Sequence, residues 1–260
     1  MPSKSLFEHD TYTTRSRKGW SLLRAFPSLA FYCQEFALVV KSSRMARRGE
    51  YDTAAWVASS LDLFRALESV GVQFEITGLD HVRNLDRPVV FAGNHMSTLE
   101  TFVLPTLLGR FHETTFVVKQ SLIDYPVFKH VMRSRDPIPV SQTNPRADLA
   151  AILEGGEQRL KAGVSVVVFP QSKRTPVFDP AEFNTIGVKL ARRAGVPIVP
   201  IALKTDAWGI GRYLADFGRI RPSSKVHFSF GEPISIKGKG REEHQAILQF
   251  ISAKLAEWST

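Results

Sequence analysis

After Gly71 the chain alternates short apolar, β-branched runs with longer stretches of helical period. The runs are VQFEIT (72–77), PVVFAG (88–93), TTFVVK (114–119), DPIPVS (136–141), VSVVVFP (164–170), PIVPIAL (197–203) and KVHFSF (225–230). Helix candidates lie between or after them, near 97–108, 121–133, 145–162, 182–194 and 241–258. Asn144-Pro145 makes a good start for the third, with Asn as cap and Pro at the first helical position, and Gly163 a good stop. This alternation predicts an α/β fold: a mostly parallel central sheet with flanking helices. In such sheets ligands gather at the carboxyl ends of strands. The polar segments GNH (93–95) and FPQSKR (169–174) both follow strand runs, so the topology predicts that they share one cleft.

Before Gly71 the pattern is helical. Leu22 to Val40, LLRAFPSLAFYCQEFALVV, is apolar but holds Arg24, Pro27, Gln34 and Glu35. A spanning helix needs about 20 mainly apolar residues and tolerates central charges poorly. An interfacial helix fits better, with Trp20, Phe26, Phe31, Tyr32 and Phe36 as aromatic anchors and Arg44, Arg47 and Arg48 meeting lipid phosphates. A core-packing helix is the competing reading. A second helix, Thr53 to Ser69, completes a hairpin. The chain thus divides into a basic, amphipathic, membrane-associating N-terminal helical hairpin (1–71) and an α/β domain (72–260).

Composition sharpens this picture in three places. A chain of 260 residues can bury one sizeable core. The formal net charge of +9 favours an anionic partner. Nine Lys/Arg against four acids in the first fifty residues put +5 of it there, though a solvated basic face is the plainer alternative. The single Cys33 excludes an intrachain disulfide and a cysteine-cluster metal site. The polar, mixed-charge opening MPSKSLFEHD reads as no secretory signal. No signature supports nucleic acid as the partner.

Candidate chemistry centres on GNHMSTLE (93–100). A neutral imidazole can take a proton from a hydroxyl, and a carboxylate can fix its tautomer. His95 and Glu100 stand five apart, which on an ideal helix leaves their side chains about 140° apart. They can meet only if His95 sits in the turn before the helix and points back across its first turn, where Asn94 or Ser97 would cap. On spacing alone, two unrelated surface residues are the plainer alternative. No cysteine or second histidine stands at ligand spacing, so no metal is expected. His112 and His130 read as helix-end surface residues, and His227 as a strand residue that packs or is exposed.

In sequence, NHMSTLE resembles the first motif of the glycerolipid acyltransferases, N-H-x-x-x-x-D, with Glu100 at the aspartate. VVVFPQSKRT (166–175) resembles the third motif, F-P-E-G-T-R-S, and VPIVPIAL (196–203) the fourth. Lys119 matches the lysine that precedes the helix after the third strand. The segment at the second motif is DPIPVSQ (136–142), with Gln142 where the family has arginine. The resemblance implies an enzyme that moves a fatty acyl group from acyl-CoA or acyl carrier protein (acyl-ACP) to the hydroxyl of a lysophospholipid. His95 would be the base and Glu100 its orienting partner. Lys119, Gln171, Ser172, Lys173, Arg174 and Thr175 would bind substrate, with Arg174 on the acceptor's phosphate. The resemblance implies no cofactor beyond the acyl-CoA or acyl-ACP co-substrate, and a place on the cytoplasmic face of an anionic membrane. Gln171 and Gln142, replacing charged residues, weaken the case for lysophosphatidic acid as the acceptor. An inactive membrane-binding module is the alternative. A serine hydrolase lacks its G-x-S-x-G elbow.

Overall fold

The structure, a computed structural model, describes residues 7–15, 22–125, 128–171 and 173–259. Trp20 and Ser172 lie outside the described residues. The chain begins with strand β1 (Tyr12–Thr13), then helices α1 (Leu22–Ala25), α2 (Pro27–Arg47) and α3 (Thr53–Ser69). There follow β2 (Phe74–Thr77), α4 (Leu79–Arg83), β3 (Val90–Gly93), α5 (Leu99–Leu108), β4 (Thr114–Lys119), α6 (Gln120–Ile123), α7 (Lys129–Ser134) and β5 (Ile138–Val140). The last elements are α8 (Pro145–Lys161), β6 (Ser165–Val168), a 3-10 turn (Pro180–Glu182), α9 (Ile186–Ala194), β7 (Ile198–Lys204), β8 (Val226–Phe230) and α10 (Arg241–Glu257).

All seven expected strands form, and β1 joins them at one edge. The sheet runs β1-β2-β8-β7-β3-β6-β4-β5. The five strands from β7 to β5 are parallel to one another, as are β2 and β8. The β7–β8 and β1–β2 pairings are antiparallel. No helix lies between β7 and β8, so the chain returns by a loop and reverses direction there.

The apolar runs are continuous because both faces of the central strands are covered. Val90, Ala92, Val166, Val168, Ile198 and Ala202 pack with Leu160, Leu190 and Ile251 of α8, α9 and α10. Phe91, Val167, Val199, Ile201 and Leu203 pack with Leu67, Leu99 and Leu107 of α3 and α5. Asn144 caps α8 by accepting from Ala147 N at 3.2 Å, and Gly163 stops it at φ 86°. The stretch expected as one helix at 121–133 is two short ones, α6 and α7, on either side of residues 126–127, which are not described; the sequence places a proline there, which ends a helix before it.

The N-terminal helix differs from expectation in two ways. Pro27 takes the first position of α2, so the apolar run breaks into α1 and a longer helix ending at Arg47. Phe31, expected at a lipid interface, is fully buried instead. It meets Trp208 edge-on at 4.8 Å and belongs to the core. The inward stripe of α2 is Phe31, Glu35, Val39 and Ser42, at helical spacing. The outward stripe is Phe26, Leu29, Cys33 and Phe36, with both phenylalanines 66% exposed. Arg44, Arg47 and Arg48 are exposed at its C-terminal end. Among the described residues no helix is long and apolar enough to cross a membrane.

Candidate active site

The polar motifs converge where three adjacent parallel strands end. His95 follows β3, Phe169 follows β6 and Thr205 follows β7. Asn94 fixes the first of these ends. Its side-chain amide donates to Leu203 O and its carbonyl accepts from Leu203 N, each at 2.8 Å. It extends the β3–β7 ladder by one rung rather than capping a helix. Thr98 stands at the N-cap of α5, and Ser97 Oγ, one residue earlier, accepts from Leu99 N at 3.1 Å.

With α5 starting at Leu99, His95 stands in the preceding turn, and Glu100 reaches back to it from the first helical turn. The His95 Nδ1 to Glu100 Oε1 distance is 2.8 Å. Glu100 is fully buried, and its carboxylate also accepts from Met96 N (2.7 Å), Ser97 N (2.9 Å) and Thr205 Oγ1 (2.6 Å). Burial pushes this carboxyl's pKa up, but the hydrogen bond and charge of His95, with Thr205 and the Ser97 amide, outweigh it and hold it below its ordinary value. An ionised carboxylate can only accept. In the neutral tautomer that this contact selects, Nδ1 carries the proton toward Glu100 and Nε2 is the acceptor nitrogen. The imidazole side chain is 20% exposed and lies nearly parallel to Phe169, with centroids 4.4 Å apart at 12°.

The loop after β6 is bound to the backbone of His95. Gln171 Oε1 accepts from His95 N at 2.8 Å, and Thr175 N donates to His95 O at 3.0 Å. Gln171 Nε2 donates to Thr175 Oγ1 at 3.0 Å. Gln171 is buried, and its amide braces the loop against His95. Thr175 shares that bracing role. Arg174 is drawn to the first motif by a hydrogen bond from Nη1 to Thr98 Oγ1. It also forms an ion pair with Asp216 Oδ1 at 2.5 Å, and Thr98 Oγ1 donates to the same oxygen at 2.9 Å. Asp216 sits on the β7–β8 loop. Glu35 of α2 feels it: burial first, and the Asp216 charge second, push the Glu35 carboxyl up to about 7. Lys173 is exposed on its loop, and Lys119 is exposed at the end of β4, two strands from β3. Gln142 lies two residues beyond the edge strand β5, at φ 60°, its backbone N–H donating to Asp148 Oδ2 at 2.7 Å.

Phe169, Thr205, Thr98 and Asp216 are the parts that sequence reading missed. Phe169 and Thr98 lie inside the quoted motifs, and Thr205 lies two residues beyond VPIVPIAL, so adjacency was the available signal. Asp216 lies in a loop with no periodic pattern around it.

A family model described as Acyltransferase matches residues 73–204, which contain His95, Glu100 and Arg174. This chain belongs to the acyltransferase family. The acyltransferase is 28% identical to the 1-acyl-sn-glycerol-3-phosphate acyltransferase of Pseudomonas aeruginosa, over 78% of the chain and 76% of that protein. It is 33% identical to a probable enzyme of the same name from Mycoplasma genitalium, over 45% of the chain and 44% of that protein. The crystal structure of the 1-acyl-sn-glycerophosphate acyltransferase from Thermotoga maritima superposes with a TM-score of 0.67, at 19% identity, over 90% of this chain and 95% of that one. That likeness shows a common fold for the acyltransferase.

Proposed function

We propose that the acyltransferase moves a fatty acyl group from the thioester of acyl-CoA or an acyl carrier protein to the hydroxyl of a phosphate-bearing lysolipid at an anionic membrane surface. The observation that carries this reading is the His95–Glu100 pair, with Nδ1 held to the buried carboxylate at 2.8 Å and the imidazole partly exposed. Nε2 takes the proton of the acceptor hydroxyl as its oxygen attacks the thioester carbonyl. Glu100 stabilises the imidazolium that results. The tetrahedral intermediate collapses, the C–S bond breaks, and His95 returns the proton to the leaving thiolate. The products are an ester and a free thiol. The 1-acylglycerol-3-phosphate named for the relatives fits a guanidinium at this end of the sheet, because Arg174 can take phosphate oxygens as it now takes a carboxylate. The outward stripe of α2 and its arginines support a monotopic seat on the cytoplasmic leaflet, where acceptor and product both reside. A complete base–carboxylate pair argues against the inactive-module alternative.

In His95→Ala the rate of acyl transfer, followed as thiol release from acyl-CoA in the presence of lysophosphatidic acid, is expected to fall on the order of 10²-fold or more. Circular dichroism should show the fold intact. Undiminished turnover in that folded variant would falsify the mechanism.

A further inference from the structure

We infer that Asp216 occupies on Arg174 the place of the acceptor's phosphate, so that an incoming head group must displace a carboxylate, and that Asp216 thereby sets which head groups this site takes. The inference rests on the reading that the acceptor carries phosphate. Four observations support it. Arg174 is anchored from the base's own segment, through Thr98 Oγ1, and the next residue's amide is bonded to His95 O at 3.0 Å. Its partner Oδ1 is an anionic oxygen at 2.5 Å, and a guanidinium receives carboxylate and phosphate oxygens by the same N–H geometry. The pair is only half shielded, with Arg174 and Asp216 side chains 23% and 48% exposed, so a ligand can reach it.

The fourth observation concerns the loop. Asp216 is held by a folded unit rather than a wandering chain. Trp208 Nε1 donates to Asp216 O at 3.0 Å, and Gly211 N donates to Ala215 O at 3.2 Å. A Cβ on Gly218 would lie 1.6 Å from Gly209 O, so the backbone closes on itself there in a way only glycine permits. On the outside of this unit Ile210, Tyr213, Leu214 and Phe217 are 46%, 89%, 62% and 51% exposed. A carboxylate carried on a preformed loop is thus presented to Arg174 at a defined point. An anionic acceptor meets both the cation it needs and a charge that repels it.

Asp216→Asn tests this, because the amide oxygen can keep both hydrogen bonds while the charge is removed. The expected result is a KM for lysophosphatidic acid lower by about twofold to fivefold, the worth of a partly exposed ion pair, without a matching rise in kcat. Turnover of a monoacylglycerol, which has no phosphate, should gain nothing. Asp216→Ala should move KM in the same direction. An unchanged or raised KM in both variants would show that Asp216 holds Arg174 in place for the acceptor, and would overturn the inference. If the wild-type protein acylates no lysolipid, the functional reading itself fails. Calorimetric binding of sn-glycerol 3-phosphate then still decides: tighter binding in Asp216→Asn supports displacement, and equal, weaker or absent binding overturns it.

Discussion

Glu100 is a buried charge whose cost is met by the groups it organises. A carboxylate in this position would be expelled from the core if it stood alone. Here it gathers the His95 ring, two turn amides and the Thr205 hydroxyl, and so fixes the turn and the tautomer together. Glu100→Gln should separate the two roles. The amide cannot accept at both ends, so one neighbour is left without a partner, and Nδ1 can turn acceptor toward the new N–H. Acyl transfer is expected to fall on the order of 10²-fold, and thermal or urea unfolding to show a loss of roughly 2–3 kcal/mol. Wild-type kinetics with only the stability loss would mean that the carboxylate serves the turn alone. This pair was legible in sequence because its spacing makes sense at one kind of junction. The bonds of Gln171 are not legible in sequence, because letter matching does not tell a side chain that faces a ligand from one that bonds the neighbouring backbone. Asp216 had no signal, since ion pairs between loops far apart in the chain leave no local pattern.

At the scale of elements, strands and helices followed the periodicity closely, and α2 shows where that evidence runs out. It is apolar on both faces, so the period locates a helix without saying which side is in. The period therefore leaves the side of Phe31 open, while Pro27, visible in the sequence, marks the break. The inward stripe also carries Glu35. Its folded pKa, about 7, lies above its ordinary 4.5. The folded state therefore keeps a proton that the unfolded chain has lost across that interval. Stability from this group is complete below about pH 4.5 and is lost as pH rises through about 7. Glu35→Gln stays neutral at every pH. Its stability should match wild type near pH 4 and exceed it at pH 8 by an amount on the order of 3 kcal/mol, read by urea unfolding across pH. A difference that does not change with pH would mean that Glu35 ionises as freely as in the unfolded chain.

Across the whole molecule, α2 and the β7–β8 loop are joined by residues that flank the outward stripe. Tyr32 packs on Phe217 at 5.4 Å and its hydroxyl donates to Gly218 O, while Ile220 N donates to Ser28 Oγ at 3.0 Å. Exposed apolar residues therefore stand on both the N-terminal helix and the loop that carries Asp216, and Arg44, Arg47 and Arg48 are exposed toward the C-terminal end of that helix. Apolar and ionic contributions to membrane binding should come apart on phosphatidylglycerol vesicles. Phe36→Ser is expected to weaken partitioning about tenfold at any salt concentration. Joint replacement of Arg44, Arg47 and Arg48 by glutamate should weaken it by at least 10²-fold at low salt and much less at high salt. Phe31→Ala should leave partitioning unchanged and cost about 3–5 kcal/mol of stability. Vesicle binding indifferent to both surface changes would remove this face as the membrane seat.

Cys33, exposed on the outward stripe between Leu29 and Phe36, is the chain's single thiol. A nitroxide or an environment-sensitive dye attached there would label one known point of the native sequence, with no cysteine to remove elsewhere and none placed among the reacting groups. Quenching by lipids brominated at successive acyl carbons would then give the depth of α2 directly. The same probe would report on Asp216's loop, because Tyr32, the residue before it, is the one that holds that loop to the helix.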